Sequence, residues 1–173
     1  YSGGTYTLDA GFPVEVNQAK TKSLTIAKDS TDTLWITWLE SDNVMINHSN
    51  ASGGGDADWA TPFELPGSDG TAGNQDISSI VSFNNNIGVM WSTQRGGNNR
   101  IRFAAHADGA DVNTWSDVIA YDVSGDDHIN LKTLHADEAG KIFAAAKTSL
   151  SAHLIILLVC DGTSSDCTNT SDW

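Results

Sequence analysis

Trp59-Ala60-Thr61-Pro62-Phe63-Glu64-Leu65-Pro66-Gly67 is the stretch that decides the fold, because the chain returns to it. Trp115 opens Trp115-Ser116-Asp117-Val118-Ile119-Ala120-Tyr121, and Trp173 stands where a third copy would begin. The three tryptophans are spaced 56 and 58 residues apart. A repeat of just over fifty residues, built from short strands, is the pattern of a blade array.

Three further strands precede each Trp-led segment. The first holds Leu24-Thr25-Ile26, then Ile77 to Val81, then Ile129 to Leu134. Polar turns follow at Asp29 to Thr33, Asn84 to Asn86 and Asp137 to Lys141. The second strand holds Leu34 to Trp38, Ile87 to Trp91 and Ile142 to Ala146, and the third holds Val44 to Ile46, Ile101 to Ala105 and Leu154 to Val159. Gly, Asn, Asp and Ser punctuate the runs, and no segment carries a convincing helical period. The second strands are apolar on both faces, as expected of a blade packed between two neighbours rather than a half-wetted sandwich strand.

The expectation is therefore an all-β chain, a partial β-propeller over residues 1–173 with about three four-stranded blade-equivalents. A closing strand is expected in 1–22, where Gly11-Phe12-Pro13-Val14-Glu15-Val16 resembles the Trp-led strand. Repeats span 23–67 and 76–123, with an incomplete one at 128–173. Propellers have roughly 4–8 blades, so three cannot close a ring. Either the remaining blades belong to the same protein past Trp173 or a second copy completes a six-bladed ring; a chain stopping on the opening residue of a strand favours the first. Alone, the segment is expected to expose an unpaired edge and the apolar run Leu154 to Cys160, an aggregation hazard.

The chain has 22 acidic and 9 basic residues, a formal net charge of −13. That excludes nucleic acid and anionic membrane surfaces as expected partners, since both require clustered Lys and Arg. The run Leu154 to Cys160 falls far short of the roughly 20 residues a membrane span needs, so no membrane insertion is expected. The chain starts at Tyr1 and reads as a processed product or a piece of something longer. Cys160 and Cys167 flank a polar turn whose length allows a local disulfide. Two free thiols, or pairing with residues outside this segment, are the alternatives. Glycosylation sequons begin at Asn47, Asn50 and Asn169.

Lys22-Ser23-Leu24 leading into Leu34-Trp35-Ile36-Thr37-Trp38, with Ile87 to Ser92 and Asp126-Asp127-His128-Ile129-Asn130-Leu131-Lys132, resembles the sialidase-like, or BNR-repeat, propellers of secreted bacterial proteins. The resemblance covers nearly the whole chain and implies an extracellular or cell-surface location. The family's aspartate box, Ser-x-Asp-x-Gly-x-Thr-Trp, is degenerate: only Ser52 precedes Trp59 in place, only Thr114 precedes Trp115, and none of the four precedes Trp173. A working sialidase of this kind implies three arginines clamping a carboxylate, a Tyr nucleophile with a Glu partner, and an Asp acid. Only Arg95, Arg100 and Arg102 are present, and no Arg-Ile-Pro segment occurs. Complete sialidase chemistry is not expected here.

The ligand-binding candidates are Asp127, His128, Asn130 and Lys132. On a strand, His128, Asn130 and Lys132 share one face, and the innermost strand of a blade lines the central channel. Together these groups suit acid/base work or the clamping of an anionic sugar, against the plainer reading of a hydrated channel wall. Asp108, Asp111 and Asn113 alternate oxygen ligands as a Ca²⁺ loop does, but lack the full loop and its distal Glu, so no metal or other cofactor is assigned. Arg100 and Arg102 are expected in interblade ion pairs, Trp35, Trp38 and Trp91 in the core, and Trp59 and Trp115 between blades. No nucleophile elbow, phosphate loop, zinc spacing or dinucleotide fingerprint occurs. The expected function is recognition of a glycan or an extracellular protein ligand without catalysis by this segment. The alternatives are part of a glycoside hydrolase or polysaccharide lyase completed by missing blades, or a structural, adhesive module.

Overall fold

A computed structural model describes residues 7–19, 21–50, 55–66, 72–73, 76–93, 99–122, 128–148, 155–162 and 166–173; the side chains of 22 and 128–133 lie outside that description. The described chain is all-β, with three antiparallel sheets. The first sheet runs β1 (Lys22–Lys28), β2 (Leu34–Glu40), β3 (Asn43–His48), β4 (Phe63–Glu64). The second runs β5 (Ser78–Phe83), β6 (Asn86–Thr93), β7 (Arg100–Ala107), β8 (Ser116–Asp122). The third has β9 (His128–Ala136), β10 (Ile142–Lys147) and β11 (Ile155–Cys160). Neighbours in sequence are neighbours in each sheet, so every link is local.

Register explains why the second strands are apolar on both faces. Ile87, Val89 and Trp91 of β6 join Trp35, Leu39, Val44 and Ile46 in a core between the first and second sheets. Met90, with Phe83, Ile101 and Phe103, joins Ile142, Ala144, Ala146 and Leu158 between the second and third. Strand β6 of the middle sheet is thus dry on both sides, a burial no half-wetted strand could tolerate. Gly88 is needed there, because a Cβ at this point would lie 2.4 Å from the Phe103 ring. Contacts between sheets are concentrated at their first strands, β1 against β5 and β5 against β9.

The repeat is visible in single hydrogen bonds. The residue before each repeat tryptophan donates its N–H to the carbonyl three residues back: Asp58 to Gly55, Thr114 to Asp111, and Asp172 to Asn169. The turn before Trp59, Trp115 and Trp173 therefore keeps one geometry although its sequence has drifted. Likewise Asp29 Oδ1 accepts from the N–H groups of Thr31 and Thr33, and Asp137 Oδ1 accepts from those of Ala139 and Lys141. These are Asx-type caps closing the β1–β2 and β9–β10 turns. Asn84 and Asn85, both at positive φ, close the tighter β5–β6 turn.

The third sheet is followed by the disulfide Cys160–Cys167, with Cα atoms 6.1 Å apart. Trp173 then packs on Phe103 of the second sheet, and its Nε1 donates to Cys167 O. No strand forms among the described residues of 7–19, where a closing strand was expected. That segment is instead tied to the first sheet, where Asn47 Nδ2 donates to Val16 O and to Ala60 O. Its sequon asparagine is therefore buried and used. Arg100 and Arg102 pair with Asp122 and Asp117 across β7 and β8, so these ion pairs lie within one sheet, contrary to the interblade expectation.

Candidate functional site

Two concave regions border the first sheet. The larger, of about 790 Å³, is a groove between segment 15–19, the end of β2 and the run 57–62 that leads into β4. Glu15, Asn17, Gln18, Glu40, Asp58 and Trp59 line it. Asn47, buried on the outer face of β3, holds Val16 and Ala60 at one spacing and so sets the two walls apart. Trp59 Nε1 donates to Asp56 O, which fixes its ring beside the short helical turn Gly55–Ala57. Trp38, fully buried, donates Nε1 to Glu40 Oε2 at 3.1 Å and orients that carboxylate. Among the described residues, the lining holds three carboxylates, two carboxamides, an indole and no Lys or Arg.

The smaller cavity, about 250 Å³, lies at the joint between the first and second sheets. Trp35 is its centre. His48 and His106 each approach the indole to 4.9 Å, and Trp115 meets it edge-on at 6.0 Å. His106 also stacks on Trp115, at 5.0 Å and 28°. Nδ1 of His48 faces Ser49 O and Nδ1 of His106 faces Thr114 O; a carbonyl only accepts, so both rings carry their proton on Nδ1. Asp29 is fully engaged. Oδ2 accepts from Trp35 Nε1, and Oδ1 accepts from Thr31 and Thr33. Burial pushes the Asp29 pKa up, but these hydrogen bonds outweigh it and hold the carboxyl below its ordinary value. This cluster binds sheet to sheet. Asp29 hydrogen-bonds the indole rather than either imidazole, so no carboxylate–histidine proton relay is assembled there.

Asp127 lies outside the described residues. His128, Asn130 and Lys132 fall on β9, the first strand of the third sheet, with their side chains outside the description. Asp108 Oδ2 accepts from Ser30 N and Oγ, bridging the second sheet to the first. Asp111 Oδ1 accepts from Asn113 N and Nδ2, capping its own turn. Of the oxygens suggested for Ca²⁺, Asp108 Oδ2 and Asp111 Oδ1 are thus employed in joint and turn, while Asp108 Oδ1 is buried without a hydrogen-bond partner among the described residues. Among the described residues, no group of three acidic, His or Cys side chains is placed to hold a metal.

Sequence reasoning had placed Trp59 between blades and had not singled out Glu15, Asn17, Gln18, Glu40 or Asp58. These residues come from three separate segments, with no motif linking them. The chain matches no protein-family model and none of the curated proteins.

Proposed function

We propose that this chain is a sialidase-like propeller segment, each antiparallel sheet being one blade, and that it serves outside the cell as a recognition module for a neutral glycan without turning it over. The observation that carries the reading is the composition of the groove. An indole beside carboxylates and carboxamides suits a sugar: the ring offers an apolar platform for C–H faces, and the carboxylates and amides accept and donate to hydroxyls. The three carboxylates of the lining disfavour the anionic sugar that Lys132 had suggested, because an anion there would face Glu15, Glu40 and Asp58. The volume falls in the range of small-molecule sites, roughly 300–1,000 Å³. The Cys160–Cys167 disulfide supports an oxidising compartment.

A glycan array spanning neutral, sialylated and sulfated oligosaccharides tests this. Binding confined to neutral structures, lost in Trp59→Ala and unaccompanied by product release, supports it. Selective retention of sialylated or sulfated glycans, or hydrolysis of a bound one, overturns it.

A further inference from the structure

Asn47, Asn50 and Asn169 each open an Asn-x-Ser/Thr sequon, and the fold treats the three differently. Asn47 is fully buried on β3. Its Nδ2 donates to Val16 O and to Ala60 O, and its Oδ1 accepts from His48 N, so both protons of the amide are engaged. The hydroxyl of the same sequon is spent as well: Ser49, 4% exposed, accepts from Leu34 N. A sugar on Asn47 would replace one of the two N–H donors and would have to enter the packed first sheet. Asn50 is half-buried against the small cavity at the joint between the first and second sheets, and its own N–H is tied to Asp58 O.

Asn169 differs in each respect. Asn169, Thr170 and Ser171 are all exposed. The Asn169 backbone is extended, at φ −116° and ψ 139°, and leads into the short helical turn Thr170–Asp172. Its Nδ2 makes one long hydrogen bond among the described residues, 3.4 Å to Asp172 Oδ2. The turn is held from both ends, by the Cys160–Cys167 disulfide before it and by Trp173 on Phe103 after it. The sequon is thereby presented at the surface on a fixed base.

We infer that the folded chain has one acceptor for an N-linked oligosaccharide, and that it is Asn169. The co-reactant is an oligosaccharide carried on a polyprenyl diphosphate. Asn169 Nδ2 attacks the anomeric carbon, the C1–O bond breaks with its electron pair leaving on the diphosphate, the Nδ2–C1 bond forms, and Nδ2 gives up one proton to the transferase. Ser171 supplies the hydroxyl that completes the sequon. The inference rests on the sequons and is independent of the glycan reading of the groove, which none of residues 166–173 lines.

The test uses a purified oligosaccharyltransferase and its lipid-linked donor, with an enzyme that modifies unfolded peptides of all three sequons. The folded, disulfide-intact chain is expected to gain the mass of one oligosaccharide. An amidase that removes the oligosaccharide converts the bearing asparagine to aspartate, and peptide mapping is expected to place that change at residue 169. The gain is lost in Asn169→Gln, and equally in Ser171→Ala, which leaves the asparagine in place. Both positions are exposed, so both variants retain the near-ultraviolet circular dichroism of the buried tryptophans. A folded chain that stays unmodified, a gain that survives either variant, or an oligosaccharide mapped to Asn47 or Asn50 overturns the proposal.

Discussion

Trp35 and Asp29 are joined by a hydrogen bond of 2.8 Å from the indole Nε1 to Oδ2. The other oxygen of the same carboxylate closes the β1–β2 turn. One side chain thereby couples a local turn to the joint between two sheets, because the Trp35 ring is what His106 and Trp115 of the second sheet pack against.

Asp29→Ala removes an acceptor for several donors at a position only 5% exposed, and is expected to cost about 2–3 kcal/mol in urea unfolding. The effect carries a pH signature. The folded-state pKa is depressed, so the stabilisation is present in full above the unfolded value of about 3.9 and is lost as pH falls through the folded value. The stability difference between wild type and Asp29→Asn should therefore be constant near neutrality and shrink under acid. A difference that grows on acidification contradicts the assignment.

The two repeat tryptophans should separate in behaviour. Trp115→Ala opens the joint and is expected to lower stability by about 2–3 kcal/mol. Trp59→Ala, on the groove wall, is expected to change stability by under about 1 kcal/mol while abolishing glycan binding. Thermal unfolding of both variants beside a binding titration reads the contrast. Equal destabilisation would mean that Trp59 is a packing residue and nothing more.

Gly88→Ala tests the packing on the face that the second sheet turns toward the third, where the Phe103 and Phe83 rings of its own neighbouring strands close over Gly88. The added methyl would meet the Phe103 ring at 2.4 Å and Phe83 at 3.0 Å, in a core with no room to yield. A loss of about 2–4 kcal/mol in chemical denaturation is expected. A neutral result would show the ring to be free to swing away.

The Cys160–Cys167 bridge closes a short loop, with a sequence separation of 7. Loop-closure entropy for such a ring is on the order of 2–2.5 kcal/mol. The Cys160→Ser/Cys167→Ser double variant should lose about that much, with the Trp173 contact on Phe103 loosened as well, detectable as a change in the indole fluorescence. Unaltered stability on reduction would contradict a structural role for the bridge.

Much of the architecture was legible in the sequence. Strand positions followed from short apolar runs between polar turns, such as Ile87 to Trp91, and the two-sided burial of β6 followed from its having no polar face. The drifted aspartate boxes hid a preserved backbone turn, because a carbonyl-to-amide bond such as Thr114 to Asp111 needs the chain path and not a particular side chain. The partners of Arg100 and Arg102 were misplaced because charge alone does not say whether Asp117 or Asp122 sits on the same sheet. The groove escaped notice for a similar reason. Glu15, Glu40 and Asp58 meet only once Asn47 has bonded Val16 and Ala60, and nothing local to Asn47 announces that long-range bond.

The most direct test of the glycan reading is an amide and indole NMR titration, with the Trp59 Nε1 signal assigned from Trp59→Phe. Neutral oligosaccharide is expected to shift the Trp59 resonance in a saturable way and leave those of buried Trp35 and Trp91 in place. A Trp59 signal that stays still at saturating neutral sugar, or that moves for anionic sugar alone, would contradict the proposed function.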